Sequence, residues 1–236
     1  VIALTNGNFV IYSPLWDYNA TQVGAVTWCS GTTGCSGVVS LSNSLVGSSF
    51  VETSVSAVVT TLANGNYVVS CSFCDIGGVA DVGAVTWGDG TSGVAGSITA
   101  ANSLVGSTAG DKLGIMGVAA LPNGSYVVKS NEWDNSSVDN AGAVTWCNGA
   151  SGCSGVLSPA NSLVGSTAGD MVGGVSVLPN SNFIVTSMGW DNGSAVDAGM
   201  ASFCSGTSGC TGPITAENSL VGGNSGDNVG FPYVVV

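Results

Sequence analysis

Asn43-Ser44-Leu45-Val46-Gly47 returns as Asn102-Ser103-Leu104-Val105-Gly106 and again at 161–165 and 218–222, in steps of 59, 59 and 57 residues. Gly24-Ala25-Val26-Thr27-Trp28 keeps these steps at 83–87 and 142–146, and is eroded to Gly199-Met200-Ala201-Ser202-Phe203 in the last copy. A long fixed period marks a small supersecondary unit that cannot bury its own apolar face and must stack on copies of itself. Four such units, about 1–58, 59–117, 118–174 and 175–236 with some overlap at the terminal strands, account for the chain as one domain.

The third unit shows what is repeated. Residues 117–121 read as a short apolar strand ended by the Pro122-Asn123-Gly124 turn, and Ser125-Tyr126-Val127-Val128-Lys129-Ser130 is rich in β-favouring residues. Residues 141–146 give a third strand and 156–164 contain a fourth, with glycine-bearing turns between them. No stretch has a period near 3.6. The class is therefore all-β. Four short strands per unit, repeated radially, is the arithmetic of a four-bladed β-propeller. The ends support a ring, because Val1-Ile2-Ala3 and Val234-Val235-Val236 both align with Val118-Ala119-Ala120 and would contest one innermost strand or pair with a neighbouring molecule. A β-solenoid or an open, strand-exchanged fibre subunit is the alternative.

Composition narrows the function. Apolar residues make up 44% of the chain, enough for a core, whereas charged residues make up 7% against roughly 25% in an average soluble domain. The surface must be built from hydroxyls, amides and backbone, which suits packing into assemblies. Two lysines, no arginine and no histidine against fourteen acids give a net charge of −12, so phosphate contacts of nucleic-acid binding lack their donors. Apolar runs fall far short of the ~20 residues that span a bilayer, so no membrane span is expected. The chain opens inside a strand with no signal peptide, as a mature or truncated segment of something longer would.

Six of the eight cysteines stand at one repeat-locked place, as Cys29/Cys35, Cys147/Cys153 and Cys204/Cys210; the second unit has Gly88 and Val94 there. Pairs that come and go together predict disulfides across a tight hairpin, each giving about 2 kcal/mol in the chain-entropy model. An oxidising, extracellular or cell-surface setting follows. Cys71 and Cys74 replace Ser13 and Trp16 of the first unit. They lack the βαβ context of a redox Cys-x-x-Cys and read as a local disulfide that compensates for the missing tryptophan.

Leu62-Ala63-Asn64-Gly65-Asn66-Tyr67-Val68-Val69-Ser70, Gly83-Ala84-Val85-Thr86-Trp87-Gly88 and Ala101-Asn102-Ser103-Leu104-Val105-Gly106-Ser107 resemble repeats of large bacterial surface proteins of the filamentous-haemagglutinin type. The resemblance covers the whole chain and implies secretion and an adhesive or matrix role, without catalytic residues to carry over. The paired cysteines depart from the plainer Trp-Gly-Asn-Gly form, which Trp87-Gly88-Asp89-Gly90 nearly keeps.

Several columns of residues could carry chemistry. Asp17, Asp75, Asp134 and Asp191 form one acidic column, and Glu52, Asp111, Asp170 and Asp227 a second. They read either as Ca²⁺ ligands or, preferred here, as caps on turns. Trp28, Trp87 and Trp146 are expected in the core, whereas Trp16, Trp133 and Trp190, beside amide-rich loops, are candidates for stacking on sugars. The asparagines at 43, 102, 161 and 218 are expected to satisfy backbone groups between blades. Sequons stand at Asn19, Asn123, Asn135 and Asn192, three of them in one loop position. Histidine-dependent triads are impossible, and acids repeated in register do not suit a catalytic pair, which normally breaks symmetry. The expectation is a non-catalytic extracellular structural or adhesive protein that self-associates into a filament or matrix without a required cofactor. A multivalent sugar-binding propeller is the alternative.

Overall fold

The computed structural model describes residues 1–19, 21–47 and 58–231. Every regular element among them is a β-strand, and the strands form four main sheets, one for each repeat. In the third repeat Leu121 N–H donates to the Ser125 carbonyl at 2.8 Å and Gly124 N–H to the Leu121 carbonyl at 3.0 Å, closing the Pro-Asn-Gly turn. This turn pairs Val118–Ala120 antiparallel with Tyr126–Ser130. Tyr126–Ser130 pairs in turn with Ala143–Cys147, and that strand with Leu163–Val164.

The fifth strand of the sheet comes from the next repeat. Gly212–Pro213 of repeat four lies parallel to Leu163–Val164. Gly155–Val156 of repeat three pairs likewise with Ser103–Val105, and Gly96–Ser97 of repeat two with Ser44–Val46. The stretch 156–164, expected to hold one strand, is thus divided: Gly155–Val156 is given to the preceding sheet and Leu163–Val164 stays at home. The turn between them is held by its own asparagine, since Asn161 Oδ1 accepts Ser158 N–H at 2.9 Å and Nδ2 donates to the Val156 carbonyl at 3.0 Å. Asn43, Asn102 and Asn218 repeat both bonds, so this column acts within each repeat rather than between blades.

The apolar cores lie between the sheets. Val68 and Val85 of repeat two pack with Tyr126, Val128 and Trp133 of repeat three. Val10, Val26 and Leu45 meet Tyr67, Val69 and Ile98 at the first joint. Val127, Val144 and Leu163 meet Phe183, Val185 and Trp190 at the third. Neighbouring residues of one strand therefore enter different cores: Val127 faces repeat four and Val128 faces repeat two. Strand side chains alternate between faces, and an inner sheet is covered on both, which explains its near-continuous apolar run.

The all-β class with one sheet per repeat agrees with the sequence, and successive sheets stack face to face as blades do. Among the described residues, no strand pairing or shared core links sheet four back to sheet one. Neighbouring sheets are joined both by these shared cores and by strands exchanged between repeats of the same chain. At the N-terminus Ile2–Ala3 pairs with Phe9–Val10 as the outer strand of its own sheet, while Val234, Val235 and Val236 lie outside the described residues.

Candidate functional site: the joint between repeats and the two end faces

Each joint is built around one glycine carbonyl. Gly149 must be glycine because a Cβ there would lie 1.7 Å from the Gly124 carbonyl oxygen; Gly31, Gly90 and Gly206 are equally confined. The close approach turns the Gly149 carbonyl towards repeat two, where Asn64 Nδ2, Asn66 Nδ2 and Trp87 Nε1 donate to it at 2.8, 2.8 and 2.9 Å. Gly90 O receives Asn6, Asn8 and Trp28 at 2.7, 2.7 and 3.0 Å. Gly206 O receives Asn123 and Trp146 at 2.7 and 3.0 Å, Ser125 having replaced the second asparagine. The tryptophans expected in the core are therefore half-buried joint residues. Their Cβ atoms lie within 2.5–2.6 Å of where a Cβ on Gly93, Gly152 or Gly209 would stand.

The acids brace the same joints. Asp111 Oδ2 accepts Ser107 N–H and Thr108 N–H at 2.6 and 2.8 Å, and its Oδ1 accepts Asp134 N–H, from the next repeat, at 3.0 Å. Asp170 does the same with Ser166, Thr167 and Asp191 at 2.8, 2.8 and 3.1 Å. Both side chains are fully buried, and burial pushes their carboxyls above the usual carboxylate range against the pull of those amides. Asp227 keeps the turn bonds, from Gly223 and Asn224 N–H at 2.9 Å, but is exposed, with no further repeat packed on it among the described residues; these amides hold its carboxyl below that range. Asp75, Asp134 and Asp191 each accept a backbone N–H six residues on, from Asp81, Asn140 and Asp197 at 2.9, 2.7 and 2.8 Å. Those three receiving residues have φ near +50°, a conformation that such a cap holds in place. Asp17 instead lies in the small hairpin Asp17–Tyr18 with Thr21–Gln22, and Glu52 falls outside the described residues. The bonds of Asp75, Asp111, Asp134, Asp170, Asp191 and Asp227 are those of turn caps, the preferred reading of the two columns, and no group of three or more His, Cys, Asp or Glu converges among the described residues.

All eight cysteines pair as Cys29–Cys35, Cys71–Cys74, Cys147–Cys153 and Cys204–Cys210, with Cα atoms 4.9–5.4 Å apart. Cys71 and Cys74 are buried in the core between repeats one and two, the place that Trp133 and Trp190 take at the later joints. That burial corrects the sugar-stacking expectation: Trp133 and Trp190 are 2% and 3% exposed, so no sugar reaches their faces. Trp16, in the first repeat of the described chain, stays half-buried and stacks on Tyr18 with centroids 6.0 Å apart. Of the sequon asparagines, Asn123 Nδ2 donates across the joint, and Asn135 and Asn192 donate to Gly165 and Gly222 carbonyls at 3.2 and 2.9 Å; Asn19 is exposed. The sequence reading assigns no role to the joint donors Asn6, Asn8, Asn64 and Asn66. Their signal was the recurrence of Asn-Gly-Asn in register with Trp.

These features define a tandem-repeat protein whose repeats share strands and bury their cores against one another. The chain belongs to the family described as Repeat of unknown function (DUF5650), whose model matches at residues 3–55, 61–115, 120–174 and 177–231. No curated protein matches the chain.

Proposed function

We propose that this chain is an extracellular structural protein, a subunit or bead of a surface filament or matrix. The observation that carries this reading is that all three joints use one recipe, so the fold is a device for adding further copies of itself. Four disulfides support an oxidising location, and no helix among the described residues is long and apolar enough to cross a membrane. The likeness of the Trp-bearing repeats to filamentous-haemagglutinin-type proteins supports a surface role; the family match carries no such link. Acids repeated in register, with oxygens held by backbone amides, support a non-catalytic reading. Electron microscopy of the purified chain at rising concentration, with thiol counting of the secreted protein, tests the proposal. Filaments with no free thiol are expected; free thiols, or dispersed particles at every concentration, overturn it.

A further inference from the structure

Among the described residues, repeats one and four each carry half of a joint with nothing seated in the other half. In the three joints Leu45, Leu104 and Leu163, the strand residues that receive the next repeat, are 2%, 1% and 2% exposed; Leu220, their counterpart, is 70% exposed. Phe203, in the place of the joint tryptophans, is 62% exposed. Asn180 and Asn182 stand where the donors of Gly90 and Gly149 stand, and among the described residues their Nδ2 groups bond to no carbonyl. Asp227 has both turn bonds but lacks the amide that Asp134 and Asp191 supply at the inner joints.

Repeat one shows the complement. Val38, opposite number of the exchanged residues Ser97, Val156 and Pro213, is 85% exposed. Gly34 faces open space where Gly93, Gly152 and Gly209 each meet a tryptophan. Phe9, Ile11 and Val39 are only half-buried, although Tyr67, Val69 and Ile98 at the same positions are core. A cleft of about 270 Å³ opens on this face, with Ile11, Gly37 and Val39 in its lining. The segment Gly37–Val38, which pairs with no strand among the described residues, already has its docking conformation: Gly37 has φ 105°, against 99°, 96° and 89° at Gly96, Gly155 and Gly212. Asn43 holds it there, donating to the Val38 carbonyl at 3.0 Å as its counterparts do in paired repeats. A strand ordered before it binds loses little freedom on pairing.

We propose that two copies of this chain join head to tail, Gly37–Val38 of one copy pairing in parallel with Leu220–Val221 of the next. The occupant is a second copy because the two faces reproduce the two halves of a joint that the chain already makes three times. The contact is heterologous, so each docked copy presents a new free face and the product is a filament. Phe203 fills the slot at Gly34 of the next copy but has no N–H for the Gly31 carbonyl, so the end joint has one hydrogen bond fewer than the first two inner joints and is reversible. This inference rests on the reading of the chain as an assembling structural protein and specifies which surfaces assemble.

Two capped variants test it in sedimentation velocity. Leu220→Asp blocks one face and Val38→Asp the other; both residues are exposed, so circular dichroism and thermal midpoint should match the parent. The parent is expected to grow with concentration, each variant alone to stay monomeric, and an equimolar mixture to stop at dimers. Phe203→Trp restores the missing donor and should tighten association by about fivefold. Val38→Cys/Val221→Cys should give a ladder of covalent multimers on oxidation. Oligomers that persist in both capped variants would place assembly on another surface, overturning this interface but not the structural reading. A covalently closed monomer would show that the faces meet within one chain, and a parent monomeric at every concentration would sink both proposals.

Discussion

Trp87 Nε1 donates to the Gly149 carbonyl at 2.9 Å, across 62 residues of sequence and across the boundary between two repeats. The indole therefore ties two sheets together rather than stabilising its own. Trp87→Phe keeps the ring against Gly152 and removes only the donor, so it should cost about 1 kcal/mol, while Trp87→Ala should cost about 3 kcal/mol. Phe203→Trp should leave monomer stability unchanged, because that position is exposed. Chemical denaturation of the three variants checks the ordering.

Gly149→Ala is the sharper probe of the same contact. The new methyl would stand 1.7 Å from backbone, which cannot turn aside as a side chain can. A loss of about 3 kcal/mol is expected, the upper end of overpacking costs. Gly155→Ala has open space around it, so any loss there comes from its φ of 96° alone and should be smaller. Comparison of the two midpoints in urea separates collision from backbone strain.

Asp111→Ala strips an acceptor from three amides in a buried joint, those of Ser107, Thr108 and Asp134. Stranded buried donors cost about 1–3 kcal/mol each, and partial relaxation should leave a total of about 3 kcal/mol. Asp227→Ala removes the same turn cap in water and should have a much smaller effect. Thermal melts of the two variants measure what the neighbouring repeat adds.

The same residues set an unusual pH dependence. Burial raises the folded-state carboxyls of Asp111 and Asp170 above the ordinary 3.8, so the folded chain holds those protons more tightly than the unfolded one. Their stabilising contribution is complete below 3.8 and is lost as pH rises through the raised values. Asp89 has the opposite sign: the Thr91 hydroxyl and amide lower it, and its contribution disappears as pH falls below 3.8. With a net charge of −12 also relieved by acid, thermal stability should peak near ~pH 4 and fall towards neutrality. Asp111→Asn/Asp170→Asn should flatten that slope in scanning calorimetry; an unchanged slope would assign it elsewhere.

Disulfides should matter unequally. Cys147–Cys153 closes the hairpin that leads into the exchanged strand Gly155–Val156. Cys147→Ser/Cys153→Ser is expected to cost about 2 kcal/mol from loop entropy, and to raise hydrogen exchange at Leu157, whose N–H crosses the joint to the Val105 carbonyl at 2.9 Å. Exchange at Ile98, whose repeat has Gly88 and Val94 in place of the pair, should not change.

Much of the fold was legible because repetition is a property of spacing. The period gave four units, the turn residues bounded the strands, and cysteines lost together in repeat two identified their partners. The division of 156–164 was not legible. A two-residue strand such as Gly155–Val156 has no pattern of its own and exists only because Leu104–Val105 offers it an edge. Nor could residue type tell Trp133, enclosed between two sheets, from Trp16, which among the described residues has a sheet on one side only.

Sequence alone determined the repeat, its all-β class, the disulfide partners and the scarcity of charge, since each follows from local identity and spacing. Tertiary structure alone decided that the cores lie between repeats, that each of the first three sheets is completed by a strand of the next repeat, and that Asp111 is buried while Asp227 is in water. The reason is physical. Identical residues acquire different surroundings according to whether a neighbouring repeat covers them, and four near-identical phrases do not encode that difference.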